Sequence, residues 1–189
     1  MREVELKSVV EDMEQCIARV RAAGGELVIQ GRLRDRRYDT HDRVLGARDE
    51  MLRVRAFEGL PASSVTLDWK GPTRLENGYK VREEISTGLA DADATFVILA
   101  MLGYVCTMAI DRDVAQFTLS GATVRFERYP RMDDLVEVEG TPEAIESAIA
   151  MTGLSRHGFT SDRLGDFANR FESRTGVRAA LSDSPHDST

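Results

Sequence analysis

The sequence predicts an α+β protein: an antiparallel sheet curled into a closed β-barrel or tunnel, with a charged interior and helices packed outside. Two observations carry this. Strand-like segments alternate between apolar and ionised side chains, from Glu3-Val4-Glu5-Leu6-Lys7 at the start to Glu137-Val138-Glu139 near the end. The element order is strand, helix, several strands, helix, several strands, helix, which describes two halves of similar plan with the second beginning near residue 88. A strand has period two, so Glu3, Glu5 and Lys7 share one face at a spacing of about 7 Å while Val4 and Leu6 face a core.

Residues 2–8 form the first strand. Residues 10–23 form an amphipathic helix with Val10, Met13, Ile17 and Val20 on one face, stopped by Gly24-Gly25. Residues 26–39 alternate weakly and run into Tyr38-Asp39-Thr40, and residues 41–49 are a polar loop. Leu52-Arg53-Val54-Arg55 and residues 64–70 are strands, the second closed by Gly71-Pro72. The polar loop 72–78 turns at Asn77-Gly78, and alternation resumes from Tyr79 to Ile85. Asp91 or Asp93 caps a helix that ends at Gly103. Strands follow over 104–111, 114–120, 122–129 and 134–139, with Gly121 as a turn. Thr141-Pro142-Glu143 opens a helix with a Thr cap, Pro at the first helical position and Glu in the first turn. Residues 161–174 make a last helix. Residues 1–180 thus read as one domain with a helical extension over 153–180, followed by a disordered tail over 181–189.

The polar faces hold the chemical information. After Glu3, Glu5 and Lys7 come Arg53 with Arg55, Asp68 with Lys70, Lys80 with Arg82 and Glu84, Arg125 with Glu127, and Glu137 with Glu139. An antiparallel sheet with one solvated face would be richer in Thr and Ser, which suit strands better than Lys and Glu do. Like charges two residues apart also gain nothing unless a counter-ion or ligand lies between them. Closing the sheet turns these faces into a channel wall, with helices covering the apolar outside. Arginine forks in such a wall match phosphate oxygens, and its carboxylates suit divalent ions that bridge phosphates. No glycine-rich phosphate loop is present, so recognition would rest on side chains.

Composition narrows the partners. A net charge of −7 over 189 residues argues against a general nucleic-acid or anionic-membrane binder. No apolar run approaches the roughly 20 residues of a membrane span, and Glu3 and Glu5 interrupt any signal-like start, so a cytoplasmic location is expected. Cys16 and Cys106 are expected to be buried free thiols. The scattered His41, His157 and His186 exclude a Cys/His zinc site, leaving Mg²⁺ or Mn²⁺ as the expected ion.

These motifs, in order, resemble the CYTH family of triphosphate-tunnel metalloenzymes, which includes class IV adenylyl cyclases and thiamine triphosphatases. Glu3-Val4-Glu5-Leu6-Lys7 is similar to its E-x-E-x-K signature, Tyr38-Asp39-Thr40 to Y-D-T, and Leu52-Arg53-Val54-Arg55 to L-R-x-R. Leu67-Asp68-Trp69-Lys70-Gly71-Pro72 is similar to L-T-x-K-G-P, Arg82-Glu83-Glu84 to R-x-E, and residues 124–127 and 135–139 to the late D and E-x-E strands. The resemblance implies a tunnel of about eight strands, often in a homodimer. It implies that Glu3, Glu5, Glu127, Glu137 and Glu139 face metal, with Glu84 as a supporting acid. Lys7, Arg53, Arg55, Lys70, Lys80, Arg82, Arg112 and Arg125 would hold the triphosphate, Lys70 and Arg112 being the catalytic candidates. The implied substrate is ATP, inorganic triphosphate or thiamine triphosphate. The E-L-K ending and the Trp69-Lys70-Gly71-Pro72 strand favour the cyclase branch, ATP going to cyclic AMP and pyrophosphate; a triphosphatase is the alternative. Two departures stand out. Glu127 occupies a position where the family usually has Asp. The family's second-half K-x-R strand appears as Asp111-Arg112-Asp113-Val114, which is expected to leave two acids beside an anionic substrate. That motivates a third reading, a binding module impaired in turnover.

Overall fold

The computed structural model describes residues 2–183. In chain order the elements are β1 (Arg2–Val9), α1 (Met13–Ala22), β2 (Glu26–Thr40), α2 (Val44–Ala47), β3 (Met51–Leu60), β4 (Ser64–Lys70), β5 (Arg74–Glu76), β6 (Tyr79–Gly88), α3 (Ala92–Met101), β7 (Tyr104–Leu119), β8 (Ala122–Arg128), β9 (Leu135–Glu139), α4 (Pro142–Thr152) and α5 (Leu164–Thr175). The strand order β1-β9-β8-β7-β2-β3-β4-β6 closes through β6 on β1, giving an eight-stranded antiparallel barrel, and β5 adds a short ninth strand to β6. The predicted architecture is therefore the observed one.

The halves divide at a different point from the one expected near residue 88. The series β1-α1-β2-β3-β4 is repeated as β6-α3-β7-β8-β9, and β1 pairs with β6 as β2 pairs with β7. The second half therefore begins at Tyr79, because β6 plays the part of β1. The strands expected over 104–111 and 114–120 are one strand, β7, which pairs with β2 from Glu26 to Thr40. Asp111-Arg112-Asp113 interrupts the apolar pattern but keeps period two, so it does not end the strand. The loop 41–49 contains α2, and the loop 72–78 contains β5, whose hairpin turns at Asn77 and Gly78. Helix α1 starts three residues later than expected, at a cap where Asp12 accepts from the Gln15 amide, and Val10 is buried ahead of it.

The main apolar core lies outside the barrel. Leu6, Phe117, Val124, Phe126, Val136 and Val138 point outward from four strands and pack under Val20 of α1 and Ile145 and Ile149 of α4. Helix α4 is fixed by the Thr141 cap and ends at Gly153, whose φ of 74° suits glycine. Helix α3, capped by Asp91, buries Leu99 over Tyr38 and Val54 but leaves Val97, Ile98, Met101 and Leu102 exposed. Cys16 is buried as expected, whereas Cys106 at the edge of that cluster is only half-buried; both are free thiols. Among the described residues no helix is long and apolar enough to cross a membrane.

The chain after α4 returns to the barrel. Thr160 pairs with Lys7 of β1, Ala180 pairs with Arg131, and Phe167 of α5 packs with Ile110, Tyr129 and Leu135. Leu181 joins this cluster, and Ser182 Oγ and the Asp183 amide donate to the Asp111 carboxylate. The first residues of the expected disordered tail are thus fixed by contacts; its remainder, 184–189, lies outside the described residues.

Candidate active site

The barrel encloses a cavity of about 710 Å³, within the range of small-molecule sites. Its wall follows from register. On β1, Glu5 lies opposite Lys80 of β6 on one side and Glu139 of β9 on the other; Lys7 lies opposite Glu137, and Glu3 opposite Arg82. On the far wall Asp35 faces Arg55, Arg53 faces Asp68, and Lys70 faces Glu84. Opposite charges in such cross-strand pairs are favourable, and like charges are not.

The contacts sort into an ammonium–carboxylate side and a guanidinium side. Lys7 bonds Glu5 at 3.0 Å and also Glu137. Lys80 bonds Glu5, and Lys70 bonds Glu3 at 2.5 Å and Glu84 at 3.1 Å. Opposite them, Asp35 accepts a fork from Arg55 at 2.8 and 3.0 Å, a bond from Arg112 Nη1 at 3.1 Å, and a longer one from Arg53 at 3.4 Å. Arg53 also donates twice to Asp68, at 2.9 and 2.6 Å, and reaches Glu84. Glu127 accepts from Arg112 at 2.8 Å, from Arg125 at 3.1 Å and from the Tyr129 hydroxyl; Arg125 also reaches Glu137.

Burial and charge set the protonation states. Burial pushes the Asp35 carboxyl up, but Arg112, Arg55 and Arg53 together hold it well below the usual carboxylate range. Burial likewise opposes ionisation of Glu127, which Arg112 and Arg125 overcome, bringing it down to about 2. Burial would weaken the Arg112 cation, yet Glu127 and Asp35 raise its pKa further, so it stays charged. Glu139 goes the other way: burial and then the nearby Glu3 and Glu5 carboxylates raise it.

All the expected triphosphate ligands line the cavity: Lys7, Arg53, Arg55, Lys70, Lys80, Arg82, Arg112 and Arg125. So do Glu3, Glu5, Glu127 and Glu137; the expected Glu139 and Glu84 are not in that lining, Glu139 lying opposite Glu5 on β9 and Glu84 bonding Lys70 and Arg53. Arg82 spends Nε and Nη2 on the backbone carbonyls of Gly71 and Asp49, so it also ties two loops together. The expectation about Asp111 and Asp113 is corrected. Both point out of the barrel, where Asp111 is bonded by Arg36 and the C-terminal segment and Asp113 by Arg32. Period two makes this unavoidable once Arg112 faces inward. The inward neighbours of Arg112 on β7 are Ile110 and Val114, both buried.

Sequence reasoning missed Asp35, Arg37 and Tyr129 in this wall. The run Arg32-Leu33-Arg34-Asp35-Arg36-Arg37 is ionised on both faces, so it lacks the contrast by which a wall face is recognised.

As arranged, no set of three His, Cys, Asp or Glu side chains among the described residues is drawn together to hold a metal ion. The donor chemistry nonetheless fits a hard cation. Glu5 and Glu139 are directly opposed carboxylates, Glu3 is close enough to raise Glu139, and Lys7, Lys70 and Lys80 supply the positive charge between them.

Fold and site together define an ionic β-tunnel protein. A family model described as the CYTH domain matches residues 1–142, and the chain belongs to that family. A search of curated proteins finds no match. Solved structures share the fold. An adenylate cyclase candidate from Vibrio parahaemolyticus superposes with a TM-score of 0.75 at 18% identity, covering 88% of this chain and 97% of the other. A protein from Pyrococcus horikoshii superposes at 0.71 with 24% identity, covering 85% and 94%. An adenylyl cyclase candidate from Hippeastrum, described as having a dominant triphosphatase activity, superposes at 0.65 with 16% identity, covering 95% and 99%.

Proposed function

We propose that this chain is a divalent-metal-dependent enzyme acting on a triphosphate-containing substrate inside the tunnel, resembling a class IV adenylyl cyclase. The observation that carries the reading is the segregation of the wall: carboxylates cluster across β1 and β9, and guanidiniums cluster across β3, β7 and β8. Family membership supports it, since CYTH proteins take triphosphate substrates and depend on metal ions in general.

In this reading Glu3, Glu5 and Glu139 hold Mg²⁺ or Mn²⁺. The ion, when bound, neutralises phosphate charge and polarises phosphorus–oxygen bonds. Glu137 and Glu127 adjoin that cluster, and Glu127 also orients Arg112 and Arg125. Arg53, Arg55, Arg112 and Arg125 bind phosphate oxygens and stabilise the charge that develops on them. Their orientation is fixed before substrate arrives: Asp35 holds the Nε–Nη2 edge of Arg55, while Arg53 is shared by Asp68 and Asp35, Arg112 by Glu127 and Asp35, and Arg125 by Glu127 and Glu137. Lys7, Lys70 and Lys80, whose ammoniums line the same cavity, would add positive charge for the phosphate chain. For ATP, attack of the ribose 3′-hydroxyl on the α-phosphorus gives cyclic AMP and pyrophosphate. In this reading Lys70, bonded to Glu3 and Glu84, is the catalytic candidate on that side of the cavity.

The triphosphatase remains the second reading, favoured by the dominant activity named for the Hippeastrum protein. The impaired binding module loses its motive, since Asp111 and Asp113 face away from the cavity.

Incubation with ATP or inorganic triphosphate plus Mg²⁺ or Mn²⁺, with chromatographic identification of products, separates the readings. Cyclic AMP with pyrophosphate marks the cyclase, and orthophosphate marks the hydrolase. Glu5→Ala should lower either activity by about 100-fold or more. Undiminished metal-dependent turnover in that variant refutes the metal assignment.

A further inference from the structure

Arg37 enters the cavity wall from β2 on the same inward face as Leu33 and Asp35. Its cross-strand neighbours are Arg53 on β3 and Met108 on β7, so neither side offers it an anion. Asp35, the carboxylate whose charge acts on Arg37, is already taken by Arg53, Arg55 and Arg112. The Arg37 Nε is fully buried without a hydrogen-bond partner, and among the described residues its guanidinium forms no ion pair. Burial, with Arg53 next, lowers its pKa to about 10, which still leaves it a cation at neutral pH. A guanidinium with a fully buried, unsatisfied Nε beside a second guanidinium is costly. The neighbouring strand meanwhile presents the apolar Ile110 and Val114 on either side of Arg112, so it lacks the second cation of the family's K-x-R pattern.

We propose that Arg37 is a substrate-binding residue that receives a phosphate oxyanion between itself and Arg53, supplying from β2 the cation that β7 lacks. The inference rests on the tunnel binding a phosphate chain. It adds a residue whose fork is wholly uncommitted until ligand arrives, unlike those of Arg53, Arg55 and Arg112.

The test is calorimetric titration of the full chain with inorganic tripolyphosphate in Mg²⁺ buffer, alongside thermal midpoints without ligand. Arg37→Met should weaken binding at least fivefold, Arg37→Lys should recover part of it, and Arg34→Met, on the outward face of β2, should bind like the native chain. Removing a charge that has no ion-pair partner should also leave the unliganded Arg37→Met midpoint equal to or above the native one. A loss below fivefold, with the native chain binding, overturns this inference and spares the tunnel reading. A lowered unliganded midpoint marks Arg37 as structural and also overturns it. No binding by the native chain overturns both.

Discussion

Three guanidiniums converge on Asp35, whose side chain is 1% exposed. Substituting Asp35→Ala leaves Arg53, Arg55 and Arg112 without that partner in a buried wall, a change expected to cost about 3–5 kcal/mol in urea unfolding. The same carboxylate predicts an acid limb. Its folded pKa is depressed, so its stabilisation is fully present above the unfolded value of about 4 and is lost as pH falls below that. Glu127 behaves alike, its contribution disappearing as pH falls from about 4.5 towards about 2. Unfolding free energy measured from pH 6 to pH 2.5 should therefore drop steeply in the native chain and less steeply in Asp35→Asn; parallel curves would refute the assignment. The role of Asp35 cannot be inferred from local sequence, because a run of charges gives no sign of which members point inward, whereas Glu127 shares a clearly alternating face with Arg125.

Strand parity decides what each element contributes. On β7 a single residue step separates Arg112, inside the barrel, from Asp111, whose side chain is 2% exposed on the outside. Asp111 accepts from Arg36 at 2.7 Å, from Ser182 and from the Asp183 amide at 3.0 Å, and so fastens the C-terminal segment to the barrel. Asp111→Ala should cost about 1–3 kcal/mol and speed amide exchange around 178–183 while tripolyphosphate affinity stays unchanged. A variant that instead alters affinity with normal exchange would put Asp111 back in the tunnel. Capping was readable element by element: Asp91 and Thr141 hold the amides expected of them, because a cap depends only on a few consecutive residues. The short α2 and β5 were not, since four and three residues are too few to show a period; α2 is held by Asp39 accepting from the Leu45 and Gly46 amides, and β5 by its hairpin with β6.

The barrel keeps its main apolar core outside the sheet and a network of ion pairs within it. Eleven basic and nine acidic side chains line the cavity, so the wall alone has only a small surplus of positive charge. A triphosphate carries more negative charge than that surplus offsets, and under the proposed function a divalent cation would make up the difference. Mg²⁺ with tripolyphosphate at 100 times the dissociation constant should stabilise the fold by about 2.7 kcal/mol, a rise of roughly 5–10 °C in thermal midpoint. EDTA should remove most of that rise, and an unchanged midpoint with both ligands present would sink the tunnel reading. The sequence by itself determined the alternation of charge and apolarity from Glu3 to Glu139, the helix caps, and the ordered motifs shared with the CYTH family. Those features are local, and period two or a few consecutive residues suffice to define them. Only the tertiary structure decided that Asp35 and Arg37 face inward while Asp111 and Asp113 face outward, that Tyr79 starts the second half, and that Leu181 to Asp183 dock on the barrel. These depend on which strands pair and in what register, a property of residues far apart in the chain.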